Sequence, residues 1–389
     1  MEKNHVRLKP SLIVTKEWLL IFSIPKNKLI AIVLCLFLTS IALFCSFQFE
    51  HYKQTIGKIT SVKQIDSTEQ LDENGNTDTK TTQELQIQVL NNTYKDKSFT
   101  LINEFTTSQI NNHAYHENDY VFIHVTETNK TLSGNIIELK RDHFLIILIG
   151  IFVILLILVT GKFGLLTFLS FIINGSLITG LLVLYRFTSS QLLVWLFMFT
   201  LPIMIALTLT LVNGWALKTK ITTVSTIIGS GITFLLGWIV ISLFNHQGLH
   251  YEEMELVTRP PHVLFMSSLL IGSVGAVMDV SMTIVSSLLE VAHNNQSISP
   301  EDLKKAGQRI GEDIMGPMTN IMFFSYLSGS IPLVLIFLRN GMSFGYTFSI
   351  VLSLEFARAL VGSIGIILAV PISIKVTQSL LTKEEEHEC

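Results

Sequence analysis

Apolar residues fall along this chain in eight long blocks, near 29–47, 143–160, 163–185, 190–212, 222–244, 263–291, 318–338 and 346–374. Each approaches or exceeds the ~20 residues with which a helix crosses a ~30 Å hydrocarbon core. Between the first two blocks the pattern changes period. Leu85, Ile87 and Val89 alternate with polar residues, as do Phe99 and Leu101, and Val121, Ile123 and Val125, which marks half-buried strands. Turn-forming clusters separate them at Asp72-Glu73-Asn74-Gly75-Asn76, Asn91-Asn92 and Thr128-Asn129-Lys130. This predicts five or six strands in a small β-barrel or sandwich, with OB-like closure, and a polar loop over 67–82. After the sixth block, Ser299-Pro300-Glu301-Asp302 reads as a capped helix start. Leu303, Ala306, Ile310 and Ile314 then recur at helical spacing. They predict a short amphipathic helix near 300–315 along the inner membrane face, broken at Gly316-Pro317.

The expected fold is therefore an α-helical polytopic membrane protein of about eight transmembrane helices with a small extracytoplasmic β-rich domain. Its parts are a cytoplasmic segment (1–28), a first anchor (29–47), the β-domain (48–142), a seven-helix membrane domain (143–375) and a cytoplasmic tail (376–389). A mean hydropathy of +0.51, with only 15% charged residues, agrees with that class. Lysine and arginine orient it. With the N-terminus inside, the inner segments carry Lys3, Arg7, Lys9, Lys16, Lys26, Lys28, Lys162, Lys218, Lys220, Lys304, Lys305, Arg309, Lys375 and Lys383. The short outer loops carry Arg186, Arg259 and Arg339. Both termini come out cytoplasmic at the cell membrane. The first block has no small-x-small cleavage site after it and reads as an uncleaved anchor. A net charge of −3 suggests no nucleic-acid partner. Cys35 and Cys45 lie in the anchor and read as buried small apolar residues. With Cys389 on the tail, no cysteine is left for a disulfide in the β-domain.

Against this apolar background Asp279 stands out, a carboxylate near the middle of the sixth block. A charge at that depth costs about 3 kcal/mol on insertion scales, which makes it a candidate functional group. Ser268, Gly272, Gly275, Thr283, Ser286 and Glu290 recur at three- and four-residue spacing around it. At ~100° per residue they all lie within roughly 40° of Asp279 on one helix face. Such a stripe must face protein or water. Asp279 can carry a proton or ligate a cation, or it can tie helices together through an ion pair to Arg358. Glu355 and Arg358, three apart on the last block, can form a structural pair within their helix or complete a polar pathway or gate, with Gly362 and Gly365 allowing close helix approach. Glu290, Asp313 and Asn320 are candidates for an inner gate, with Arg309, Gly311, Gly316 and Pro317 beside them. Two outer clusters contain metal-ligand residue types: His113, His116, Glu117 and Asp119, and His246, His250, Glu252, Glu253, Glu255 and His262. Neither has the tight spacing of a structural metal site, and both read as solvated loops. There is no Walker A loop, GxSxG elbow or HExxH, so no catalytic residue, metal or cofactor is expected.

Two segments echo each other, Gly272-Ser273-Val274-Gly275 to Val280 and Gly362-Ser363-Ile364-Gly365 to Val370. Either a hairpin was duplicated, as in parallel-repeat transporters, or two glycine-containing apolar helices coincide.

Several of these stretches together resemble the YibE/F-like family of bacterial multispan membrane proteins. They are Gly272-x-x-Gly275-x-x-x-Asp279 running to Ser286-Ser287-x-x-Glu290, the run Arg309-Ile310-Gly311-Glu312-Asp313-Ile314-Met315-Gly316-Pro317-Met318-Thr319-Asn320, and Tyr326-x-x-Gly329. Glu355, Gly362-Ser363-x-Gly365 and Pro371 complete the pattern, which extends to Gly57-Lys58-Ile59 and Asp119-Tyr120-Val121. The resemblance implies membership of the longer, YibE-type branch, and with it a shorter YibE/F-like membrane partner or a homo-oligomer within the lipid bilayer. It carries over no settled activity. The expected function is an ion-coupled secondary transporter, permease or export component; the alternative is a non-transporting assembly or sensory module whose outer domain binds an envelope partner.

Overall fold

A computed structural model describes residues 25–71, 75–109, 112–128, 131–188, 192–243, 247–251, 260–295 and 297–388. The N-terminal cations up to Lys16, the Asp72–Asn74 turn, Asn129, Lys130, Arg259, Cys389 and most of the second outer cluster (His246, Glu252, Glu253, Glu255) lie outside them. The chain divides into two compact units at Leu165/Leu166. Eight helices among the described residues are long and apolar enough to cross a membrane.

In the first unit, helix α1 (Lys26–Ser46) leads into a five-stranded sheet and α2 (Asp142–Thr160) leads out. The strands β1 (Thr55–Leu71), β2 (Thr77–Val89), β3 (Ser98–Thr106), β4 (Tyr120–Thr128) and β5 (Thr131–Leu139) are antiparallel, in the order β3-β2-β1-β4-β5. The alternating residues do form its core: Leu85, Ile87, Val89, Phe99, Val121 and Ile123 are buried with Ile59. The sheet curls until Phe99 of β3 faces Gly134 of β5, where an added Cβ would come within 3.0 Å of the ring. The edge strands β3 and β5 thus approach each other without hydrogen-bonded pairing among the described residues, leaving a partly open barrel. Where a polar loop was expected over 67–82, the described residues up to Leu71 and from Thr77 onward are instead paired strand, with Glu69 opposite Thr79 and Leu71 opposite Thr77. Backbone ladders form whatever the side-chain polarity, and five threonines there (Thr68, Thr77, Thr79, Thr81, Thr82) favour extended backbone.

Helices α1 and α2 run antiparallel, with Thr39 seated on Gly150 and the Lys28 ammonium donating to the Leu158 carbonyl (3.1 Å) at the C-terminus of α2. Cys35 is half-buried and Cys45 exposed, so the burial expected for these cysteines is not found. They lie on a helix that packs along one side only.

In the second unit, α3 (Lys162–Tyr185) continues from the first, and α4 (Leu192–Asn213), α5 (Leu217–Leu243), α6 (Pro261–Asn294), α7 (Pro300–Arg339), α8 (Phe344–Val351) and α9 (Ser353–Glu388) follow. Its centre is α5, α6 and α9, brought together by glycines. An added Cβ at Gly229 would meet Val277 at 2.8 Å, at Gly237 it would meet Leu269 and Val361 at 3.1 Å, and at Gly365 it would meet Thr233 and Val277 at 3.0 Å. Thr222, Thr226 and Thr233 are buried here, and each hydroxyl donates to the carbonyl four residues back. Their polarity is met inside α5, so the helices can close on one another.

Helix α7 does not end at Gly316-Pro317. It is one 40-residue helix that takes in both the amphipathic segment and the seventh apolar block. Leu303, Gly307 and Gly311 are buried on it, and α9 fills the space beside the two glycines: a Cβ added at Gly307 would meet Ile374 at 2.6 Å, and one at Gly311 would meet Val370. Further along, Met322 lies on Gly362 and Tyr326 on Gly272. A proline removes one ladder bond. A seam that continues on both sides of it holds the helix together. The last block is divided instead, after Val351: Ser343 caps the short α8, accepting from the Tyr346 amide at 3.3 Å, and α9 starts afresh at Ser353.

Candidate functional site: the polar face of α6

α6 buries Val277, Val280, Ile284, Val285 and Leu288 against its neighbours and leaves its small-and-polar stripe on the other side. Gly275, Asp279 and Glu290 are exposed, and Gly272, Thr283 and Ser286 are half-buried. One border is Gly272 under the Tyr326 hydroxyl of α7. The other is Met282, whose sulfur lies 3.8 Å from Asn213 of α4 and 3.9 Å from Thr222 of α5. Between them Asp279 has no ion pair and no side-chain hydrogen bond among the described residues. Thr283 donates its hydroxyl to the Asp279 carbonyl (2.9 Å) and Ser286 donates to the Met282 carbonyl (2.6 Å). Their protons are thus committed to backbone, while their oxygen lone pairs stay available on the carboxylate's face. The arrangement can accept a proton or a cation from that open side.

The pair between Asp279 and Arg358 is absent. α6 and α9 run parallel, since Leu269, Val277 and Leu288 face Val361, Gly365 and the Gly307–Ile374 contact in turn. Arg358 lies level with Phe265, 5.8 Å from its ring. Asp279 is fourteen residues further on, roughly 21 Å along the axis. Arg358 pairs within its own helix, 2.5 Å from Glu355, with both side chains mostly buried. Phe265 and Tyr326 flank the guanidinium with ring centroids 5.8 and 5.9 Å away, a cation–π setting that offsets its burial. Its Nε is buried without a partner among the described residues. The ion pair is thus enclosed by three helices, α6, α7 and α9.

The inner-gate residues do not converge either. Glu290 lies eleven residues beyond Asp279, about 16 Å. Arg309, Asp313, Gly316, Pro317 and Asn320 are exposed on α7, most of them roughly opposite the buried Gly307–Gly311 seam at ~100° per residue. Gly311, Gly362 and Gly365 do mediate helix packing, whereas nothing lies within 4 Å of a Cβ added at Gly275 or Gly316. The echoed glycines Gly272 and Gly362 both receive a side chain of α7, but Gly275 is open where Gly365 is packed. In the outer cluster, His116 lies 3.8 Å from Asp119 and is mostly exposed.

Two polar anchors in the first unit were not singled out from the residue pattern. Lys140 is buried, and its ammonium donates to the Ser46 carbonyl (2.7 Å) and both Asp142 oxygens (2.6 and 2.7 Å). The Tyr52 ring lies 4.9 Å from it and the Phe47 and Phe49 rings 5.9 Å. Tyr52 donates its hydroxyl to Asp142. Burial, and then that bond to a carboxylate, pushes the phenol up to about 12. Asn91, also buried, holds the start of β1: its oxygen accepts from the Ile56 amide (2.7 Å), and its NH2 reaches the carbonyls of Phe49, Gln54 and Tyr52. The available signal was a cluster of aromatics (Phe47, Phe49, Tyr52) where helix pattern gives way to strand pattern, and a lysine where helix pattern resumes.

With this geometry in hand, the comparisons with known proteins decide the family. A family model described as YibE/F-like protein matches residues 148–383, and one described as YibE/F family N-terminal domain matches residues 50–139. The chain belongs to the YibE/F-like family. No curated protein and no solved structure matches it. In this YibE/F-like chain the α6 stripe, the α7 seam and the α9 ion pair all fall within the first of those matches, and the barrel within the second.

Proposed function

We propose that this YibE/F-like protein is a multi-pass protein of the cell membrane, with both termini cytoplasmic, acting as an ion-coupled secondary transporter, permease or export component. Asp279 carries the coupling proton or cation, and Thr283 and Ser286 continue its path toward the inner side. The observation that supports this is the carboxylate's position: mid-helix, exposed and without a counter-charge among the described residues. Such a group is too costly to face lipid and calls for water or an exchangeable ion. The lysine and arginine distribution supports the orientation.

The test is flux through the purified protein in liposomes loaded with a pH indicator, under an imposed proton or sodium gradient. Wild-type protein is expected to conduct, Asp279→Asn to insert normally and stop, and Asp279→Glu to retain part of the rate. Equal flux in wild type and Asp279→Asn refutes the reading.

A second reading, a membrane assembly without transport, draws on α7. None of its most apolar stretch is buried within the chain, and Arg309, Asp313, Gly316 and Asn320 are exposed on it. A shorter family member or a second copy covering that face would meet those polar groups. Loss of a co-purifying partner in Asn320→Leu, with flux never detected, favours this reading.

A further inference from the structure

A cavity of about 740 Å³ opens between α4, α5 and α6, on a different side of α6 from Asp279. Its lining runs from Val194 to Ile205 on α4, from Trp238 back to Ile227 on α5, and from His262 to Val274 on α6. Each stretch is about a dozen residues, so all three helices give a length of about 17 Å. That is close to half of a ~30 Å hydrocarbon core, the depth of one leaflet. The two ends differ in chemistry. Trp195, Trp238 and His262 stand together at the end where α6 begins, and Ile205, Ile227 and Val274 close the other. Amphipathic rings at one end and branched aliphatics at the other match the profile of a leaflet from headgroup level to midplane.

From this geometry we infer that the groove is a binding site for one phospholipid acyl chain, drawn from the leaflet at the end where α6 begins. The headgroup rests at Trp195, Trp238 and His262, and the chain lies along Gly231 and Pro202 toward Val274. Gly231 makes room for it: no described residue lies within 4 Å of a Cβ added there, although Gly229 and Gly237 on the same helix are in tight contact. A volume of about 740 Å³ spread over that length makes an elongated groove. An extended hydrocarbon chain fits, and the volume is that of an ordinary small-molecule site. Pro202 lines the groove and cannot donate to the Met198 carbonyl, so the one backbone acceptor it frees also lies on this wall. The site requires the bundle to lie in a bilayer but no ion coupling, and flotation of the protein with membranes tests that requirement separately.

The experiment compares the full-length protein with Gly231→Leu, whose added side chain fills the groove, and with Gly180→Leu, placed at an equally open glycine of α3. After exchange into detergent that strips loosely held lipid, native mass spectrometry should find one phospholipid on the wild type and on Gly180→Leu. Occupancy should fall about tenfold in Gly231→Leu. A second measurement uses a Trp18→Phe/Trp215→Phe background, which leaves Trp195 and Trp238 as the only tryptophans. In vesicles of dibrominated phosphatidylcholine their fluorescence should be quenched, and Gly231→Leu should relieve that quenching. Equal lipid retention in wild type and Gly231→Leu, or quenching that Gly231→Leu leaves unchanged, overturns the inference. So does a dimer whose dissociation is what opens Trp195 and Trp238 to the brominated lipid, since a second copy would then be the occupant.

Discussion

Removing the Asn91 side chain should loosen the whole entry to the β-barrel. Asn91 sits 1% exposed and uses both ends of its amide: the oxygen takes the Ile56 N–H, and the nitrogen reaches the carbonyls of Phe49, Gln54 and Tyr52. Ile56 is itself fully buried, and its carbonyl accepts from the Leu90 amide at 2.8 Å, so this contact zips β1 to the end of β2. In Asn91→Ala the Ile56 N–H is left buried and unpaired, a cost of about 1–3 kcal/mol, and further hydrogen bonds worth about 0.5–1.5 kcal/mol each are lost. A total near 3 kcal/mol corresponds to about two powers of ten in the opening equilibrium. Hydrogen exchange on the full-length protein in lipid nanodiscs reads this directly, with the β1 and β2 amides losing about a hundredfold in protection while α5 and α6 keep theirs. Asn91→Asp should be at least as damaging, because a carboxylate there would face three carbonyls. Protection of β1 within about threefold of wild type in Asn91→Ala, or a well-tolerated Asn91→Asp, would refute the assignment of Asn91 as the clasp.

The helical core offers a contrast between two glycines. Gly365→Val should cost about 1–3 kcal/mol or more through overpacking against Thr233 and Val277, seen as a lower melting temperature in detergent, while Gly275→Leu should leave it unchanged. Breaking the α9 ion pair with Glu355→Gln should destabilise by about 2–4 kcal/mol, because Arg358 stays buried between two rings, and the double variant with Arg358→Met should recover much of the loss. A double-mutant cycle on thermal unfolding that shows simple additivity would count against that coupling. Tyr52 supplies a pH dependence. Its phenol is raised to about 12 in the folded protein against about 10 unfolded, so the folded state holds the proton longer. Its contribution to stability is complete below about pH 10 and lost as the pH climbs toward 12. Stability curves over that range should flatten in Tyr52→Phe; an unchanged slope would show that burial and the bond to Asp142 do not raise the phenol.

Local features were legible in the residue pattern. The first six apolar blocks became helices within about five residues of their expected ends, whereas the seventh is continuous with the amphipathic segment before it and the last is divided. The 2.0-residue alternation marked the barrel's core, and Ser299 does cap its helix, accepting from the Asp302 amide at 3.1 Å. The stripe around Asp279 was visible as well, because spacing along a single helix fixes which residues share a face. What that face meets was not. Whether Asp279 reaches Arg358 depends on the axial register of two parallel helices, which the glycine contacts at Gly229 and Gly365 set across space. The same holds for α7: Gly316-Pro317 reads as a break from local propensity, and only the seam along α9 keeps the helix running through it. Lys140 and Asn91 were silent for a related reason: apart from Asp142, two residues from Lys140, their partners lie at 46–56, far along the chain. Periodicity is a property of neighbours along the chain, so the sequence by itself determined the elements and their faces. Register, continuity and the lipid-sized groove come from packing between distant segments, and the tertiary structure alone decided them.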